Sequence, residues 1–242
     1  MRLEQLGAHI DFGPIWLVID KGGPVVVVIG LISVVALAVA LAKFIQFVGI
    51  GVGRGRAIPQ AIGAWARGET EWALARLARR RNPAARAVAC AIRHIEAGRD
   101  EGVAREDAAR VAEDGLAGLR SHLRVLEAAS QIAPLLGLFG TVLGMMSAFQ
   151  ALQAAGGEAD PAALAGGIWV ALITTAVGLA VAIPAGLALY WFEGRIERET
   201  VLAETALARV FTTRDDFSEA AGLPGAGAGR AIVSPEGRHA AE

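Results

Sequence analysis

At 242 residues, 54% hydrophobic, with mean hydropathy +0.47 and formal net charge −1, the chain is too apolar for an ordinary soluble domain. Its single cysteine, Cys90, excludes an internal disulfide and a multi-cysteine zinc site, and its four histidines are scattered, so we expect no metal and no cofactor. The apolar residues come in long runs, which points to an integral membrane protein.

Residues 1–21 read as an N-terminal periplasmic or interfacial segment, with Trp16 suited to headgroup depth. Asp11 and Asp20 interrupt it, so it does not resemble a signal peptide, and the chain is expected to enter the membrane uncleaved. The first span, residues 22–48, holds one charge, Lys43, near its inner end, where a long side chain can snorkel to the headgroups.

Residues 49–127 read as cytoplasmic helices. They carry 14 arginines and no lysine. Pro59 and Pro83 mark helix starts, and Asp100 is a candidate N-cap for a further helix supported by the Glu106/Arg110 pair. The run RLARRRNPAAR could contact nucleic acid or lipid headgroups. A solvated helix end near anionic lipid is the commoner meaning of such a run, and we expect no nucleic-acid partner. No proline intervenes between residue 101 and Pro134, so one continuous helix is expected to enter the second span. Ending near Leu152, it would be roughly 80 Å long, with more than half in the cytosol.

The second span, residues 128–153, has no ionisable side chain. At helical spacing Gly137, Gly140, Thr141, Gly144 and Ala148 share one face, with Ser147 beside it. Small faces of this kind let helix backbones approach closely in lipid. A short periplasmic loop, 154–166, leads to the third span, 167–192, where Trp169 and Tyr190 lie about 31 Å apart along the axis. Its small face is Ala171, Thr175, Gly178, Ala182 and Ala185, with Thr174 adjacent. Pro134 and Pro184 each remove a backbone donor and are candidate kinks. Residues 193–215 continue as a cytoplasmic helix, and 216–242 read as a disordered tail. The 154–166 loop has no Arg or Lys, against 14 and 6 in the middle segment and tail, which places those two in the cytosol and the N-terminus outside.

The fold expected is all-α, with three transmembrane helices, two of them extended into the cytosol as long helices. No catalytic constellation appears, and an enzyme is not expected. The polar residues of the last two spans are Thr141, Ser147, Thr174 and Thr175. Such hydroxyls either bond a carbonyl of their own or a neighbouring helix, or line a wet path. They cannot release a proton near neutral pH, so a proton path would need an ionisable residue from another chain.

The strings LRVLEAASQIAPLLGLFGTVLGMMSAFQAL and ALITTAVGLAVAIPA resemble the ExbB/TolQ/MotA proton-channel family of bacterial inner membranes. The three-span ExbB branch is the best match. The resemblance implies a homopentamer around single-span partners of the ExbD/TolR type, which supply an intramembrane Asp. It implies proton-motive-force-driven energisation of a TonB-like protein, with Thr141 and Thr175 at the family's pore-facing positions. Val170 stands where family members usually carry a Glu, which leaves this chain without an acid in its spans.

Overall fold

The computed structural model describes residues 13–53, 55–154 and 161–220, with the backbone alone for 13–22, 163 and 214–220. The expectations for residues 1–12, for the centre of the loop at 155–160 and for 221–242 lie outside these, as does the side chain of Trp16. Among the described residues all regular structure is helical. The elements are α1 (Gly13–Ile50), α2 (Ala57–Ala66), α3 (Thr70–Ala78), α4 (Pro83–Glu96), α5 (Glu101–Arg120), α6 (Leu123–Ala154) and α7 (Pro161–Ala220). They form two compact units. One holds the chain up to Gln46 with Ser121–Gly194, and the other holds Phe47–Arg120 with the chain from Arg195 onward.

In the first unit α1, α6 and the first half of α7 pack together. The three helical stretches contain 18-residue windows with mean hydropathies of 3.1, 1.8 and 2.1, and are long and apolar enough to cross a membrane. At Gly23 the backbone takes φ 65°, ψ −168°, breaking α1 into two helical pieces just before Pro24. Only glycine adopts that conformation without strain, and the following proline favours the extended ψ. The small faces turn inward. Gly137, Gly140, Gly144 and Ala148 of α6 are buried, as are Ala171, Thr174, Gly178, Ala182 and Ala185 of α7. Bulky residues such as Leu31, Val34, Leu135 and Leu187 face outward. Ile29 of α1 closes the seam against Ala133 and Ala182. Helix α6 continues through Pro134 and α7 through Pro184.

Two sequence expectations are corrected here. The helix from residue 101 is not continuous: Ser121 and His122 separate α5 from α6, and His122 adopts φ 62°. A left-handed residue cannot continue a right-handed helix. Lys43 does not snorkel either. It is 3% exposed, and its Nζ donates to Gln46 Oε1 at 2.9 Å and to Ser121 Oγ at 3.3 Å. Its position in the 29–36–43 seven-residue ladder with buried Ile29 and Ala36 sends the side chain inward, and the hydroxyl freed by the helix break receives it.

The second unit packs α2–α5 and the second half of α7 around a core rich in alanine. Ala61, Ala64, Ala87, Ala91 and Ala108 are fully buried, and Ile58, Leu77, Ile92 and Phe211 fill the larger spaces. Alanine loses no rotamer freedom on burial and lets helices approach closely. Asn82 caps α4 by accepting from Ala85 N–H at 3.0 Å, with Pro83 at the first helical position. Asp100 caps α5 as expected, accepting from Val103 N–H at 3.3 Å. Arg110 pairs with Asp107 rather than with Glu106. Helix α7 extends to Ala220, beyond the end expected at 215.

Candidate functional site

The hydroxyl-bearing seam between α6 and α7 gathers most of the residues singled out in the sequence. The two helices run antiparallel, Gly144 opposite Ala171 and Gly167, and Gly178 opposite Ala133 and Gly137. A Cβ on Gly140 would come within 2.6 Å of the Thr174 side chain, and one on Gly178 within 2.5 Å of the Ala133 carbonyl oxygen. The glycines are therefore used up by packing within one chain, where the sequence left open whether another chain covered them.

Thr174 lies in the centre of the seam, 1% exposed, and donates to Ala171 O at 2.8 Å and more weakly to Gly137 O at 3.4 Å. Thr175 is half-buried and donates to the same Gly137 carbonyl at 3.2 Å. Thr141 and Ser147 sit towards the outer side of α6 and bond their own helix, Thr141 to Leu138 O at 2.6 Å and Ser147 to Leu143 O at 3.0 Å. Each of these hydroxyls donates to a carbonyl and keeps its oxygen lone pairs for a further donor. Val170 is half-buried one turn before Thr174. Thr141 and Thr175 thus flank a seam that Thr174 holds shut.

A second polar centre lies in the other unit. Glu199 is 1% exposed, and its Oε2 accepts from Gly53 N–H at 3.2 Å. The amide of Ala84, in the first turn of α4, and the side chain of Asn82 also face the carboxylate. Burial pushes the carboxyl above its ordinary value, and these donors draw it part of the way back. Oε1 has no hydrogen bond of good geometry. One carboxylate thus joins the loop after α1, the start of α4 and the second half of α7.

Sequence reasoning missed Glu199, Asn82 and the inward turn of Lys43. A signal for Glu199 exists: Phe192, Ile196, Glu199, Ala203, Ala206 and Val210 are all buried at alternating spacings of four and three. An acid within such a ladder faces a core.

A model of the MotA/TolQ/ExbB proton channel family matches residues 79–205, just over half of the chain. The chain is similar to a putative biopolymer transport protein ExbB homolog of Methanothermobacter thermautotrophicus, at 35% identity over 193 residues, covering 78% of this chain and 66% of that protein. It is also similar to the biopolymer transport protein exbB1 of Vibrio cholerae, at 45% over 82 residues (34% of this chain, 36% of that one). The Tol-Pal system protein TolQ of Pseudomonas aeruginosa is 38% identical over 99 residues, 41% of this chain and 39% of its own. The chain thus spans less than two thirds of the length of each of these relatives. The matched segment contains the α6–α7 seam and Glu199, and it excludes Gly53 and all of α1.

Proposed function

The chain belongs to the MotA/TolQ/ExbB proton channel family, and on that premise we propose that it is the multi-pass subunit of a proton-driven motor in the bacterial inner membrane. In this reading five copies surround single-span partner helices of the ExbD/TolR kind. The N-terminus is periplasmic, and residues 49–127 and the end of α7 are cytoplasmic. Protonation and release of a partner Asp beside Thr141 and Thr175 would turn the membrane field, about 2.3 kcal/mol per charge per 100 mV, into force on a TonB-like protein.

One observation carries the reading. Outside Lys43 the three spans hold hydroxyls and no carboxylate, Val170 included. Hydroxyls can hydrate and orient a proton carrier but cannot be one near neutral pH. Thr174, closed in the seam, positions its neighbour, and Thr141 and Thr175 are the hydroxyls left to face a path. Glycines 137, 140, 144 and 178 keep the wall thin.

The test is proton flux in proteoliposomes. The chain alone is expected to conduct little, the chain with a single-span partner to conduct well, and the partner's Asp→Asn form to abolish conduction. Thr175→Val should lower flux several-fold while preserving assembly. Strong flux from the chain alone would refute the partner-acid mechanism. A TolQ-like role in envelope constriction is the second reading, favoured by the similarity to TolQ. A deletion that impairs iron uptake supports the TonB-type role, and one that impairs constriction supports the other.

A further inference from the structure

The second unit contains a cavity of about 930 Å³ that the mechanism above does not use. Arg80 and Arg81 from the loop between α3 and α4, and Arg86 and Arg93 of α4, line it. No carboxylate lines it among the described residues. Ion pairs seen among the described residues of this unit include those of Arg67, His94, Arg105 and Arg110. Arg93 Nε donates to Ala89 O, and its two terminal nitrogens carry further donors. Leu74, Leu77 and Val111 supply an apolar wall, joined by Ile50, the last residue of α1.

Four guanidinium groups around one recess give it a positive potential that attracts an anion. Guanidinium groups match the oxygens of a phosphate in paired hydrogen bonds. The apolar wall adds a second requirement, a ligand with a hydrocarbon part. Ile50 adds a third: it is the last residue of the first candidate membrane-crossing helix, so the ligand should be one available beside that helix end. We propose that this cavity is a binding site for a phosphate-bearing anionic amphiphile, an anionic phospholipid of the leaflet that α1 exits into. The arginines hold the headgroup phosphate, and the leucine and valine wall takes the start of the acyl chains. The assignment rests on the membrane reading of the chain but not on proton conduction, so either can fail without the other.

The probe is phosphatidylglycerol, titrated into the full chain purified in neutral detergent and read by native mass spectrometry. Phosphatidylcholine with the same acyl chains and inorganic phosphate form the other arms. A saturable phosphatidylglycerol adduct, absent with phosphatidylcholine and not displaced by millimolar phosphate, is expected. Arg86→Gln and Arg93→Gln, both at exposed positions, should each weaken it about fivefold. Ala75→Trp, at an exposed position in the lining, should block it without removing charge. Cys90, the only cysteine, also lines the cavity and gives an independent readout. Its alkylation by N-ethylmaleimide should be slower in phosphatidylglycerol nanodiscs than in phosphatidylcholine ones.

Equal retention of the two lipids, or unchanged binding by the arginine variants, overturns the proposal. Displacement by inorganic phosphate at the same arginines overturns the lipid assignment in favour of a soluble phosphate. Loss of the oligomer in both arginine variants, with no lipid adduct in the native chain, would assign the arginines to carboxylates of a neighbouring copy instead.

Discussion

Both units bury alanine, but they differ in what accompanies it. In the unit of α1, α6 and the first half of α7, glycine and threonine join alanine in the α6–α7 seam, and most of the leucine, valine and phenylalanine lies outside, with Val26, Ile29, Leu126 and Phe192 among the buried exceptions. In the other, Ile58, Leu77, Ile92 and Phe211 lie inside, and the charges lie outside. The difference is the one expected between a unit packed in lipid and a unit packed in water. In water, burying large apolar groups drives packing, so they go to the centre. In lipid that drive is absent, close backbone contact and hydroxyl–carbonyl bonds replace it, and small residues take the seam. Both units then admit one ionisable group at a position the pattern reserves for apolar residues, Lys43 in the first and Glu199 in the second. Each sits where the chain breaks, beside Ser121 and beside Gly53.

The largest expected break in this comparison comes from deleting the same kind of bulk in each unit. Phe211, 1% exposed, should cost about 3–5 kcal/mol when changed to Ala. Leu187, 66% exposed in the single chain, should cost the isolated chain less than about 0.5 kcal/mol when changed to Ala. Pulse proteolysis of the purified protein reads both. A large loss from Leu187→Ala would mean that a neighbouring copy, and not lipid, covers it.

Next come the glycines. Gly178→Ala drives a Cβ to 2.5 Å from a backbone oxygen, so α6 and α7 must part, at about 1–3 kcal/mol. Gly30→Ala, with nothing within 4 Å of the new carbon, should be neutral or slightly stabilising. Equal effects in thermal unfolding would show that the seam is not the tight contact described.

Glu199→Ala should cost about 1–3 kcal/mol by leaving the Gly53 amide without its acceptor. Its pH dependence sharpens the point. Burial raises this carboxyl, so the folded chain binds more protons than the unfolded one between the ordinary and the raised value. Stability contributed at this site therefore falls as pH rises through that window and is recovered below it. Denaturation midpoints measured across the acidic range should show this slope in the native chain and not in Glu199→Gln. The smallest effect is expected from Arg110→Ala, whose pair with Asp107 involves a guanidinium 64% exposed, and a midpoint change beyond about 0.5 kcal/mol would contradict that.

Much of this contrast is legible in the sequence, because hydropathy runs and small-residue faces record the solvent directly. The three apolar stretches, the glycine faces, the helix start at Pro83 and the cap at Asp100 can be read from spacing alone. What covers a face cannot. Gly137 and Gly144 mark a close approach without saying whether the approaching helix is α7 or another chain. The break at Ser121–His122 carries no Gly or Pro to announce it. Lys43 and Glu199 look like ordinary charges until their places in the seven-residue ladders are counted.

The break between α5 and α6 also determines how an insertion would propagate. Each residue added to an unbroken helix turns everything beyond it by about 100°. At His122, whose φ of 62° interrupts the helical path, such a turn is not carried on through a continuous helix into α6. Helix α7 has no such joint between Thr174 and Ala185, both buried in the seam. One residue added between them would turn one against the other by more than a quarter turn, so this stretch of α7 should tolerate length variation far less well than the segment before Ser121.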